Sequence, residues 1–188
     1  NTQSYVADYS YTGDTILVAP GTYTENIYID NKSITLIATD GYPASTIIDG
    51  GNNGSVIKVD NGIGLFTLNG FTIQNGQSGD TQYGYVGGGI FLEFDFEGIV
   101  NIKNNIIKDN YADDLGGGLY SWWATGSVSR NIFINNSTNG GGNAARLNRG
   151  GINFYNNTLW ENDASLFVRS SDHRIINNIV WDNDDHEF

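Results

Sequence analysis

The sequence predicts an all-β chain, a single right-handed parallel β-helix (β-solenoid) of about seven coils over residues 1–188, with Asn ladders at its corners. The first observation behind this is a repeat. Asn104-Asn105-Ile106-Ile107-Lys108-Asp109-Asn110 returns as Asn131-Ile132-Phe133-Ile134-Asn135-Asn136, as Asn156-Asn157-Thr158-Leu159-Trp160-Glu161-Asn162 and as Asn177-Asn178-Ile179-Val180-Trp181-Asp182-Asn183. The apolar anchors Ile107, Phe133, Leu159 and Val180 stand 26, 26 and 21 residues apart, and a weaker copy around Ile73 lies 34 residues earlier with Phe71 in the Asn place. Spacing of this order marks stacked supersecondary units. The second observation is that each copy is a strand unit: short β-branched or aromatic alternation ends in Asn, Asp, Ser or Gly, with no apolar spacing of helical period. The third is turn chemistry, since 25 Gly and only 2 Pro suit a chain that turns often.

Parallel stacking places equivalent residues about 4.8 Å apart. Asn105, Asn131, Asn157 and Asn178 then form one column, and Asn110, Asn136, Asn162 and Asn183 a second. Asn suits a corner because it tolerates left-handed backbone geometry and its amide bonds to the Asn above and below. The interior ladder of this strand series is Ile73, Ile107, Phe133, Leu159 and Val180.

Composition narrows the function classes. An aromatic content of 13% and the apolar periodicity argue against disorder. There is no Cys, hence no disulfide framework and no thiolate metal site. A net charge of −12 argues against a nucleic-acid or anionic-membrane partner, and no apolar run reaches membrane-spanning length. The acidic, Cys-free composition predicts an extracellular or cell-surface location, and the absence of Met predicts a processed or excised piece.

Along the chain, residues 1–14 predict a short N-terminal cap. Asp14-Thr15-Ile16-Leu17-Val18-Ala19-Pro20-Gly21-Thr22-Tyr23, with Glu25-Asn26-Ile27, then gives strand, Pro-Gly turn and strand. This stretch resembles the opening of right-handed parallel β-helix proteins of the pectate-lyase-like superfamily, and the Asn repeats are similar to that superfamily's coils. The resemblance covers nearly the whole chain and implies the fold far more than a function, since the superfamily includes lyases, hydrolases, adhesins and inert scaffolds. The capping helix expected before Asp14 is reduced, and the chain stops at Phe188 directly after a repeat, which predicts an uncapped C-terminal coil.

A second strand series follows three glycine triplets: Gly87-Gly88-Gly89-Ile90-Phe91-Leu92-Glu93, Gly116-Gly117-Gly118-Leu119-Tyr120-Ser121-Trp122 and Gly140-Gly141-Gly142-Asn143-Ala144-Ala145-Arg146. The triplets lack the Lys-Ser or Lys-Thr of a phosphate loop and instead predict tight corners and close coil contact. Aligning the triplets, with residues 57–60 before and 166–169 after, sends Val59, Leu92, Ser121, Ala145 and Val168 inward. Two outward columns remain, one of Lys58, Phe91, Tyr120, Ala144 and Phe167, the other of Asp60, Glu93, Trp122, Arg146 and Arg169. Rings beside charged groups suit a saccharide, so Phe91, Tyr120, Trp122, Arg146 and Arg169 are the candidate substrate-binding residues. The resemblance implies, for a lyase, Ca²⁺ held by Asp60 and Glu93, with Asp95 and Glu97 in reserve, and Arg146 as the base. An ordinary solvated sheet face is the plainer reading of the same residues.

A third outward column, Gln74, Lys108, Ile134, Trp160 and Trp181, grows more apolar toward the C-terminus. Ile134, Trp160 and Trp181 are therefore the candidate interface. Asp109, Asp113 and Asp114 form a surface acidic group, Asp182, Asp184 and Asp185 another, and His173 and His186 stand alone. Sequons at Asn31, Asn53, Asn135, Asn136 and Asn156 are expected by chance in so Asn-rich a chain. Two functions follow as expectations. The first is a non-catalytic extracellular structural solenoid that self-associates, end to end into filaments or laterally, or serves adhesion. The alternative is a carbohydrate-active protein of pectate-lyase type acting on an extracellular polysaccharide, with calcium its possible cofactor.

Overall fold

The computed structural model describes residues 12–62, 64–78, 80–81, 84–94, 98–169 and 172–183. Three parallel sheets run its length. The first holds Thr15–Val18, Ile34–Ala38, Leu65–Asn69, Ile99–Lys103, Thr125–Ser129, Gly151–Tyr155 and Arg174–Ile176, each hydrogen-bonded to the next. The second holds Gly21–Thr24, Thr46–Asp49, Thr72–Gln74, Ile106–Lys108, Ile132–Ile134, Thr158–Trp160 and Ile179–Trp181. The third holds Ile27–Asp30, Ile57–Gly62, Ile90–Phe94, Leu119–Trp122, Ala145–Asn148 and Leu166–Arg169. Strands from the three sheets alternate along the chain, so the fold is a parallel β-helix with the predicted seven coils. A right-handed sense is that of nearly all parallel crossovers. Pro43–Ser45 forms a single 3₁₀ turn, and no α-helix occurs among the described residues.

The core is a set of side-chain columns. In the second sheet Ile48, Ile73, Ile107, Phe133, Leu159 and Val180 stack in that order. In the first sheet Leu36, Leu68, Ile102, Val128, Phe154 and Ile175 do the same. Phe133 and Phe154 meet across the lumen at 5.8 Å between ring centroids. Val180 keeps its inward place but is partly exposed, because it sits in the last described coil. Apolar recesses open at both axial ends of the described residues, one among Leu166, Val168 and Val180, the other among Ile16, Leu36 and Ile48. Residues 1–11 and 184–188, with most of the predicted N-terminal cap and the C-terminal boundary, lie outside the description.

Both predicted Asn ladders form. Asn105 donates its backbone N–H and its Nδ2 to Asn131 Oδ1, both at 3.0 Å. Asn131 does the same to Asn157, at 2.9 and 3.1 Å, and Asn157 to Asn178, at 2.9 and 3.1 Å. The Asn110, Asn136, Asn162 and Asn183 ladder repeats the arrangement. Each ladder amide also donates to a carbonyl of the preceding coil, as Asn131 Nδ2 does to Ile102 O at 3.0 Å. Phe71 occupies the Asn place as the sequence indicates, and its N–H caps the column on Asn105 Oδ1 at 3.0 Å.

The corners divide two tasks that the sequence reading assigned to one residue. The left-handed residue is the one before the ladder Asn: Asn104, Arg130, Asn156 and Asn177 at one corner, Asp109, Asn135, Glu161 and Asp182 at the other, with φ between 50° and 57°. The ladder Asn itself is buried, apart from Asn178 and Asn183 in the last described coil, which are half-buried. Arg130 and Glu161 therefore serve as well as Asn at the exposed left-handed position, while hydrogen bonding selects Asn at the buried one.

The glycine triplets act in two ways. Gly87 and Gly116 turn with φ of +67° and +68°, and Gly88 and Gly117 bring two backbones together, since a Cβ on them would lie 2.2 and 2.4 Å from carbonyl oxygens. In the third copy the corner falls on Gly142, φ +72°, so that Asn143 and Ala144 take the remaining two places. The third triplet is therefore displaced by two positions from the first two, which align with each other.

Candidate functional site

The shifted triplet changes the third sheet's outward columns. Leu119 pairs with Ala145, Tyr120 with Arg146, Ser121 with Leu147 and Trp122 with Asn148. Arg146 thus stands between Tyr120 and Phe167, two places from the expected position beside Trp122. A slip of two residues preserves the face, so Arg146 still points outward while all its neighbours differ. The observed columns are Tyr28, Lys58, Phe91, Tyr120, Arg146 and Phe167, and Asp30, Asp60, Glu93, Trp122, Asn148 and Arg169, with Glu93 facing Asp60 across a bulge between Leu92 and Phe94.

Much of this outward face is covered. Phe91 and Tyr120 are buried in an outer cluster with Val86, against which Leu115 and Trp122 pack. The two rings lie 5.7 Å apart, and Asn148 Nδ2 donates to the Tyr120 hydroxyl at 3.0 Å. The cover comes from the segments that follow the second-sheet corners, where Val86 bridges to Leu115 and Tyr111–Ala112 pairs with Ser137–Thr138. Phe91 and Tyr120, expected as saccharide platforms, consequently offer no open ring face. A sequence signal for this exists: an apolar residue, Val86 or Leu115, directly precedes the corner glycine.

At the N-terminal end of the face, Lys58 Nζ bonds to Asp60 Oδ2 at 2.9 Å and lies 5.4 Å from the ring centroids of both Tyr28 and Phe91. Burial opposes ionisation of Asp60, but hydrogen bonds with Lys58 and the Glu93 carboxyl, and the Lys58 charge, hold it below the usual carboxylate range. Tyr28 donates to Asp60 Oδ2 at 3.1 Å. Burial first, then that hydrogen bond and the charges of Asp60, Asp30 and Glu93, push its hydroxyl from 10.0 up to about 12. The fold favours the neutral phenol, so its stabilising contribution is complete below pH 10 and disappears as pH rises to about 12. Tyr28→Phe is expected to remove this part of the alkaline fall in stability, read as the urea midpoint against pH. An unchanged alkaline limb would contradict the assignment.

These residues fit calcium poorly. Among the described residues no group of three or more His, Cys, Asp or Glu is arranged to hold a metal ion. Asp60 already has an ammonium at 2.9 Å, and Glu93 is 5% exposed. Asp95 and Glu97 lie outside the described residues. Arg146 is three coils from Asp60, about 14 Å along the axis, too far to act on a proton beside a cation held there.

Toward the C-terminal end the face becomes cationic. The Arg146 guanidinium lies 3.9 Å from the Phe167 ring centroid, and Arg149 lies 5.0 and 5.1 Å from those of Trp122 and Trp123. Burial, and then repulsion by Arg169, holds the Arg146 pKa below that of a free guanidinium. Arg149 and Trp123, which the sequence reading passed over, belong to this group because each occupies the left-handed corner after a third-sheet strand.

The chain matches no known family model, characterised protein or solved structure.

In the second sheet Gln74, Lys108, Ile134, Trp160 and Trp181 lie in register, and Asp49 extends the column by one strand. Its first half is polar and internally bonded, with Gln74 Nε2 on Asp49 Oδ2 and Lys108 Nζ on Asp109 Oδ2, both at 2.8 Å. Its second half is apolar. Trp160 and Trp181 stack at 6.4 Å and 15°, and Trp181 is 67% exposed. Beside them Ile132 and Ile179 are 40% and 62% exposed. Asp109 also accepts from Asn135 Nδ2 at 2.7 Å, a structural role. His173 accepts the Ile152 N–H on Nδ1 at 3.0 Å, and burial lowers its pKa. Asp184, Asp185 and His186 lie outside the description. Asn136, within two sequons, is fully buried in its ladder.

Proposed function

We propose that this chain is a non-catalytic structural β-solenoid of an extracellular or cell-surface setting, which associates side by side with further copies of itself. The apolar half of the second-sheet column carries the reading. Ile132, Ile134, Trp160, Ile179 and Trp181 occupy one flat face on three successive coils, where Trp181 and Ile179 are more than half exposed. A contiguous apolar face of this kind favours a contact surface over bulk solvent. The absence of Cys and the acidic charge agree with the proposed location, and filament growth or adhesion would be the outcome of such association. The lyase reading has less support, because its carboxylates are already bonded and its base is distant.

Sedimentation velocity and electron microscopy across a concentration series test the proposal. Concentration-dependent association is expected, together with its loss in Trp181→Glu at an unchanged melting temperature. A wild-type chain that stays monomeric at every concentration would end this reading.

A further inference from the structure

The last strand of the first sheet, Arg174–Ile176, pairs with Gly151–Tyr155 in the register Asn153 with Arg174, Phe154 with Ile175 and Tyr155 with Ile176. Its far end is held by backbone, the Asn156 N–H donating to Ile176 O at 3.2 Å. Its near end is held by a side chain. His173, directly before Arg174, accepts the Ile152 N–H on Nδ1 at 3.0 Å. By the register it stands over Ile152, in line with the interior column Phe66, Val100, Gly126 and Ile152, whose apolar members are buried. His173 Nε2 is enclosed and has no hydrogen-bond partner.

This geometry admits one protonation state. A neutral imidazole that accepts on Nδ1 carries its proton on Nε2. The imidazolium carries a proton on both nitrogens, so Nδ1 would meet the Ile152 N–H donor against donor, and a half-buried cation would lie at the apolar column. The charged groups of the surrounding elements are Asp172 and Arg174 on its own segment, Arg149 at the corner before Gly151, and Arg169 at the end of the facing third-sheet strand. Gly151, Ile152, Asn153 and Phe154 bring no charge, and Tyr155 brings a phenol. Burial opposes the cation and outweighs the Asp172 charge that favours it, which holds the His173 pKa below the ordinary 6.5. The fold therefore favours the neutral ring. Its contribution is complete above about pH 6.5 and is lost as the pH falls through the lowered value. Bonds elsewhere between the same two coils, such as Asn157 to Asn178, Asn162 to Asn183 and the Ile179 N–H to Asn157 O, come from groups that do not titrate in this range.

We propose that His173 is an acid-sensitive latch, whose protonation releases the start of Arg174–Ile176, loosens the last described coil and so breaks up the apolar face that Ile179 and Trp181 form with Trp160. The connection is short, since two corner residues, Asn177 and Asn178, join Arg174–Ile176 to Ile179–Trp181. The Trp160 and Trp181 rings stack at 6.4 Å only while this coil lies in register. Each coil of a solenoid touches only its neighbours, so one coil loosens while those beyond it stay stacked. Histidine is the side chain whose ordinary pKa places its charge change between about pH 5 and 8, and the other histidine, His186, lies outside the described residues. The effect on association rests on the self-association proposed above, whereas the latch itself does not.

The test is amide hydrogen exchange of the full chain from about pH 7.5 to about pH 5, corrected for the intrinsic pH dependence of exchange, with sedimentation velocity on the same samples. In the wild type, protection over 152–156 and 172–183 is expected to fall about tenfold on acidification, the size of one buried hydrogen bond, while 99–108 keeps its protection. Association is expected to weaken in parallel. His173→Asn offers an amide oxygen as acceptor and does not titrate, so its protection and association are expected to hold across the range, which also separates His173 from His186. His173→Ala is expected to show at the higher pH the weak protection that the wild type shows at the lower. Wild-type protection independent of pH would overturn the latch, as would an acid loss that persists in His173→Asn or full protection in His173→Ala. Acid loss of protection with association unchanged would overturn the link to assembly. A chain that stays monomeric at every pH would end the self-association reading and that link with it, while exchange still decides the latch.

Discussion

Asn131→Ala is expected to lower stability by about 4 kcal/mol, read as a shift in the urea midpoint at unchanged slope. The side chain is almost fully buried and works in both directions along the axis. Its Oδ1 accepts the Asn105 N–H and Nδ2, and its Nδ2 donates to Asn157 Oδ1 and Ile102 O. Truncation strands the Asn105 backbone donor and removes the amide donor from Ile102 O on that same coil and from Asn157 Oδ1 on the next. Each orphaned group costs about 1–3 kcal/mol. Asn131→Asp is expected to be no better, since a carboxylate would face two oxygen acceptors. The contrast lies one corner away: Asn135 is exposed at φ +50°, where Asn135→Gly is expected to change stability by less than about 1 kcal/mol. Equal losses at Asn131 and Asn135 would contradict the division of labour within the corners.

Gly88→Ala is expected to cost about 3 kcal/mol or more, because the added Cβ would lie 2.2 Å from Tyr111 O and 2.8 Å from Gly117 O. Both obstacles are backbone atoms of neighbouring coils, so relief requires the coil spacing itself to open. Gly41→Ala is the matched comparison. There the backbone is left-handed, φ +64°, which it is not at Gly88, but nothing lies within 4 Å of the new carbon, and the expected loss is about 1 kcal/mol. Thermal unfolding of the two variants separates close backbone contact from conformational preference. A loss at position 88 no larger than that at position 41 would contradict the close-contact account of Gly88.

The two sheets differ in how far the sequence determines them. In the second sheet the last four strands are each bracketed by ladder Asn residues five apart, as in Asn105 and Asn110, and no register slip can satisfy both ladders. The core column from Ile73 to Val180 and the outward column from Gln74 to Trp181 therefore stand residue for residue as the pattern indicates. In the third sheet the triplets mislead, because Gly140-Gly141-Gly142 overlaps its counterparts by only one structural position. Counting from the ladder gives the observed register: Leu119 follows Asn110 by nine residues, and Ala145 follows Asn136 by nine. The ladder is the better ruler because its hydrogen bonds fix one residue per coil, whereas a run of glycines fixes only that something must pass close by.

The sequence by itself determined the coil, the ladders, the interior columns and the side of each sheet on which a residue lies, because these follow from the period-two alternation of strands and from amides repeated at the coil spacing. Only the tertiary structure decided which outward residues reach solvent. The segments carrying Val86 and Leu115 fold over Phe91 and Tyr120, while no described segment folds over Ile179 and Trp181. It also brought Arg146, Arg149 and Arg169 together beside two tryptophans. Burial and charge proximity are set by residues a coil or more apart in the chain, and a local pattern does not encode which loop lies over which face.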